Sequence, residues 1–149
     1  MLLTHPLLEI LVQRTPLSSV ELEKLQTTLA PIHDPMELKA LLVKQKLVTD
    51  ETFQAALAEF YGLEFCGHFE DLPDLMEFVD EIPIRYAKKN VFFPIGYVKG
   101  ELLVAIEDPA NFQPIDDLAR RLQCRVRLVL SHATAILELI NHAYDRASG

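Results

Sequence analysis

The sequence predicts an α+β chain: helical hairpins first, then a small unit in the order helix, two-stranded hairpin, helix, strand, helix. Three observations carry this. Apolar residues up to Phe60 recur at helical spacing. Two strand-like runs flank Lys99-Gly100. Arg125 to Leu130 then alternates charged and apolar residues.

Thr4 and Pro6 mark the start of a first helix whose apolar side is Leu7, Leu8, Ile10 and Leu11. Ser18 and Glu21 form a capping-box pattern, so a second helix is expected from Ser19 to Leu29, with Val20, Leu22, Leu25 and Leu29 inward. Asp34-Pro35 opens a third helix carrying Met36, Leu38, Leu41, Leu42 and Gln45. Thr49 caps a fourth, with Phe53, Ala56, Leu57 and Phe60 as its core side and Gly62 as its terminator. The two helix pairs form a weak repeat. Ile10-Leu11-Val12 aligns with Leu41-Leu42-Val43, and Leu17-Ser18-Ser19 with Val48-Thr49-Asp50, at one constant offset.

Three parts follow: a helical subdomain over 1–62, a connecting segment over 63–80, and a three-stranded α/β subdomain over 81–149. In the connector, Glu64-Phe65-Cys66 reads as extended and Asp74 to Val79 as a short helix. A helix from Ile82-Pro83 to Lys89 precedes strands Val91–Val98 and Glu101–Glu107. Leu102, Val104 and Ile106 on one side and Leu103 and Ala105 on the other make the second strand apolar on both faces, hence central. A helix over Pro114–Leu122, the strand Arg125–Leu130 and a last helix capped by Ser131 complete the order.

Half of the 149 residues are hydrophobic, enough for a real core. A net charge of −8 opposes duplex binding, which needs a basic face. No stretch is long and apolar enough to span a bilayer, and the start lacks the basic flank of a secretory signal. A soluble cytoplasmic chain is expected. Cys66 and Cys124 stand in no metal or redox spacing, and Cys66-x-His68 has no second ligand pair. His132, just after a strand, reads as a surface histidine. The five glycines form no phosphate loop, and neither Glu107-Asp108, Asp116-Asp117 nor Ser131-His132 makes a catalytic pattern. No catalytic residue, metal ligand or cofactor is assigned to this chain.

Leu41-Leu42-Val43-Lys44-Gln45-Lys46-Leu47-Val48-Thr49-Asp50-Glu51, continued by Phe53, Ala56-Leu57-Ala58-Glu59 and Tyr61-Gly62-Leu63, resembles a signature of type II secretion and type IV pilus assembly ATPases. Ile82-Pro83, Tyr86-Ala87, Phe93-Pro94-Ile95, Leu102 to Ile106, Asp108-Pro109 and Asp116-Asp117-Leu118 follow in the same family's order. The resemblance is to the amino-terminal domain of general secretion pathway protein E. It implies a non-catalytic docking domain that binds the cytoplasmic domain of the inner-membrane L component. It also implies a hexameric parent whose ATP and magnesium sites lie in an ATPase domain beyond Gly149. Nucleic-acid binding and membrane insertion are not implied; the expected location is peripheral to the inner membrane, through the partner.

Some relatives resemble cyclic di-GMP sensors, which makes a regulatory sensing domain the alternative. Their motif runs Arg-Leu-Gly, an apolar pair, a second Gly and a terminal Gln. Here those positions hold Glu37, Lys39, Lys46 and Phe60, and the first repeat has Pro6 at the Arg position. A glutamate repels phosphate, so a relic site without binding is expected. For docking, Leu3, Leu7, Leu8, Leu11 and Val12 are the candidate partner contacts, on a helical half hinged around Gly62 to Pro73.

Overall fold

The structure is a computed structural model that describes residues 6–70 and 76–148. It divides into two compact units, with the boundary between Leu63 and Glu64.

The first unit is helical. Helix α1 (Pro6–Arg14) packs most extensively on α5 (Asp50–Tyr61). Leu7, Leu8 and Leu11 on α1 and Phe53, Ala56 and Leu57 on α5 are fully buried. Between them in the chain come α2 (Ser19–Lys24), α3 (Gln26–Leu29) and α4 (Pro35–Lys44). The expected second helix is therefore two pieces, broken at Leu25, whose φ of −99° and ψ of 4° leave the helical well. Helical geometry, by contrast, explains a misplaced residue, because positions two apart stand about 200° apart around a helix and Val20 and Leu22 cannot both face inward. Val20 is 58% exposed, outside the core expected for it, while Leu22 and Leu29 are buried.

Helix starts behave as their sequences dictate. Ser18 and Glu21 form the reciprocal capping box. Asp34 accepts from Met36 N–H with Pro35 in the first turn, and Thr49 accepts from Thr52 N–H. Gly62, at φ 70°, ends α5 in the left-handed conformation that a side chain disfavours. Phe60, expected inward, lies at the exposed end of α5 beside Tyr61, their rings 5.2 Å apart and edge to face.

The second unit contains a four-stranded sheet in the order β1-β4-β3-β2. Its strands are β1 (Glu64–Phe65), β2 (Phe92–Val98), β3 (Glu101–Ile106) and β4 (Arg125–Leu130). The expected three strands are thus joined by a fourth from the connecting segment. β1 runs parallel to β4, pairing Glu64 with Val129 and Phe65 with Leu130, and Arg127 grips Glu64 at 2.6 Å. The extended reading of Glu64-Phe65-Cys66 holds, but two residues carry too little pattern to announce their pairing into the sheet.

β2 and β3 form the expected hairpin. Lys99 and Gly100 both have positive φ, 53° and 83°, as a tight two-residue hairpin requires. β2 is an edge strand, the place in a sheet where a proline such as Pro94 is tolerated, and the register shifts between Pro94 and Gly96. β3 is central, as its two apolar faces predict. Its parallel crossover to β4 carries α8 (Gln113–Leu122). Register aligns Leu102, Val104 and Ile106 with Val126, Leu128 and Leu130 on one face.

Phe93, paired with Ala105 on the other face, stacks edge to face with Tyr144 of α9 (Ala133–Ser148). α9 also meets α6 (Met76–Val79) and α7 (Ile84–Asn90). The Tyr144 hydroxyl donates to the Ile82 carbonyl, and burial raises its pKa above 10.0. Ser131, expected to cap α9, does not start it. Its N–H extends the sheet ladder to the Ile106 carbonyl, and the first helical bond comes from Ile136 N–H to the His132 carbonyl. None of the described helices is long and apolar enough to cross a membrane.

Candidate functional site

Four of the five residues expected to contact a partner, Leu7, Leu8, Leu11 and Val12, lie on α1. Leu7, Leu8 and Leu11 are the buried side of α1, Val12 is half-buried, and Leu3 lies outside the described residues. The excess of leucines on this helix is used against α5. From the sequence alone, an amphipathic helix looks the same whether its apolar side meets its own core or a partner.

The described residues hold no group of three or more His, Cys, Asp and Glu side chains able to bind a metal. Cys66 Sγ instead donates to the His68 carbonyl, and the His68 imidazole lies 3.3 Å from Glu70 at the surface. His132 is half-buried, with Nε2 2.9 Å from the Gly67 carbonyl, so it ties the segment after β1 to the start of α9.

Two concave sites stand out among the described residues, one in each unit. In the helical unit, a cavity of about 380 Å³ lies between the two turns related by the repeat. Thr15 and Pro16 come from the first turn, and Lys46, Leu47, Val48 and Thr49 from the second. The repeat superposes Thr15 on Lys46 and Pro16 on Leu47. The Thr15 hydroxyl is spent on the Leu11 carbonyl at 2.6 Å and Thr49 on its helix cap, so neither projects freely. Lys46 has a φ of 60°, the left-handed conformation that suits glycine. The turn thus keeps a glycine-type backbone under a lysine.

At the position of the resembled motif's first glycine, Lys39 reaches across from α4 to α5. Its Nζ lies 2.8 Å from Asp50 Oδ1 and 3.3 Å from Gln54 Oε1. Glu37, on the same helix, is exposed. Sequence reasoning misses the Lys39 cluster because its members stand on two separate helices, a relation that no local pattern encodes.

In the α/β unit, a groove of about 490 Å³ runs between α8 and one face of β3 and β4. Its walls are Ile106, Ile115, Ala119, Val126 and Leu128, with Phe112 at its mouth. Glu101, Asp116 and Arg125 supply polar groups along it. Phe112 is 65% exposed, the most exposed of the large apolar side chains among the described residues. It stands at the N-cap of α8, where a capping Ser or Asp would bond the free N–H groups, and its side chain makes no such bond. An aromatic in a capping position is the signal in the sequence that could have pointed to this groove.

Comparison with known proteins adds the family. Residues 61–149 match the family model described as the MshEN domain. No curated protein matches the chain. Among solved structures, "Structure of MshE with cdg" superposes with a TM-score of 0.68 at 17% identity, covering 94% of this chain and 99% of that one. The N-terminal domain of XpsE superposes with a TM-score of 0.53 at 26% identity, covering 90% and 91%. A second crystal form gives a TM-score of 0.58 at 22% identity, covering 91% of each chain. The chain belongs to the MshEN domain family and shares its fold with the amino-terminal domain of the type II secretion ATPase XpsE and with MshE.

Proposed function

We propose that this chain is a non-catalytic docking domain of a secretion or pilus ATPase. Its partner is the cytoplasmic domain of an inner-membrane assembly protein, the L component in a type II system, which holds the ATPase at the membrane periphery. ATP and magnesium belong to a motor domain outside these residues, in a hexameric parent. The observation that supports this reading most is the 26% identity to the XpsE amino-terminal domain over nine-tenths of both chains.

The docking surface in this reading is the Phe112 groove. It combines an exposed aromatic, an apolar floor and a charged rim, the anatomy of an interface hot spot. The test is a binding titration of the whole chain against the purified L-component cytoplasmic domain. Phe112→Asp is expected to weaken binding roughly thirtyfold or more, the loss typical of a hot-spot residue. Undiminished binding by that variant rejects the groove, and no binding by the unaltered chain rejects the partner.

A cyclic di-GMP sensor is the second reading. The cavity between the paired turns and the glycine-type backbone at Lys46 favour it. Glu37 and the internally paired Lys39 count against it, because a carboxylate and a filled site oppose a phosphodiester. Calorimetry with cyclic di-GMP is expected to show no heat of binding, and micromolar affinity would make sensing the function.

A further inference from the structure

A lysine side chain only 12% exposed is unusual, since taking an ammonium out of water is unfavourable unless partners compensate. Lys39 has those partners. Asp50 opens α5, and Gln54, one turn on, is fully buried. Leu38 and Leu42 form the buried side of α4, and Phe53 and Leu57 that of α5. A seam of such side chains alone tolerates sliding, because leucine contacts are not directional. The Lys39 ammonium adds direction through its hydrogen bond to the fully buried Gln54 Oε1 at 3.3 Å, with Asp50 Oδ1 2.8 Å away as its counter-charge: shifting either helix by one residue takes the largely buried ammonium away from both.

We infer that Lys39 is an internal cationic strap that sets the register of α4 against α5 and makes the closed helical unit independent of any bound anion. The strap is carried by the chain itself, so the unit presents the same packing whether or not a phosphate-bearing ligand is present.

Amide hydrogen exchange on the full 149-residue chain tests this. Lys39→Met and Asp50→Asn are each expected to speed exchange in α4 and α5 at least about tenfold, with the α/β unit unchanged. Lys44→Met, at an exposed lysine of the same helix, is the control and should change little. The double variant Lys39→Met/Asp50→Asn is expected to be no worse than the poorer single, the mark of a coupled pair. Should Lys39→Met fail to fold, Asp50→Asn, which keeps the side-chain shape, carries the measurement. Inorganic phosphate at millimolar concentration should leave exchange in the unaltered chain as it is. The inference falls if Lys39→Met matches the Lys44 control, if the single effects add in the double variant, or if phosphate protects the unaltered chain.

Discussion

The two units reach stability by different routes. Among its described residues the helical unit has no sheet to share backbone hydrogen bonds between segments. Its segments are joined by side chains: the α1–α5 leucine seam and the Lys39 cluster, with caps at Ser18, Asp34 and Thr49 fixing the helix starts. The α/β unit is stitched by three ladders and closed by α9 over Phe93. Side-chain seams are sensitive to each volume lost, whereas ladders spread a loss across neighbouring strands. The helical unit is therefore the one that single substitutions should open locally.

The sharpest way to break this contrast is a matched pair of cavity variants. Phe93→Ala is expected to cost about 3–5 kcal/mol and Leu57→Ala about 2–5 kcal/mol, both at fully buried sites. Hydrogen exchange after Leu57→Ala should lose protection in α1 and α5 while the β3 and β4 amides keep theirs. Loss of protection throughout would show one cooperative body instead of two units.

Tyr144→Phe comes next. It removes the donor to the Ile82 carbonyl and should destabilise by about 1.5 kcal/mol in urea melts. It also tests the alkaline limb. Burial raises the folded pKa of Tyr144 above 10.0, so its stabilisation is complete below pH 10 and declines as pH rises through that folded value. In the phenylalanine variant this part of the decline should disappear.

Thr49→Ala removes the cap of α5 and should cost about 1 kcal/mol, read as earlier loss of helical circular dichroism on heating. The smallest effect has the opposite sign. Lys46→Gly relieves a left-handed backbone and should raise stability by less than about 1 kcal/mol. A loss instead would mean that the lysine side chain contributes contacts exceeding the backbone strain.

Much of the fold is legible because it is written locally. Capping residues announce α2, α4 and α5, Lys99-Gly100 announces the hairpin, and the two apolar faces of β3 announce its central place. What escapes depends on distant partners. β1 becomes a strand only because β4, far along the chain, supplies an edge for it. The buried side of α1 reads as a partner surface because nothing near it in sequence names α5 as the element that covers it. Val20 reads as inward because composition alone does not say which of two apolar residues two apart, Val20 or Leu22, the helix turns to the core. The candidate sites are the least legible, since the Lys39 cluster and the Phe112 groove exist only after helices and strands have met.

The distance between β1 and its neighbour also sets a timetable for biosynthesis. The β2–β3 hairpin closes over a two-residue turn and can form within microseconds of leaving the ribosome. β1 emerges first but finds its neighbour only once Val129 and Leu130 have been made, a delay of roughly 3–13 seconds at ordinary translation speed. During that interval the backbone groups of Glu64 and Phe65 have no β4 to bond, and a two-residue stub offers little for a stray strand to seize. Brevity makes this strand hard to see in the sequence, and it also lets the nascent chain wait safely for the rest of its sheet.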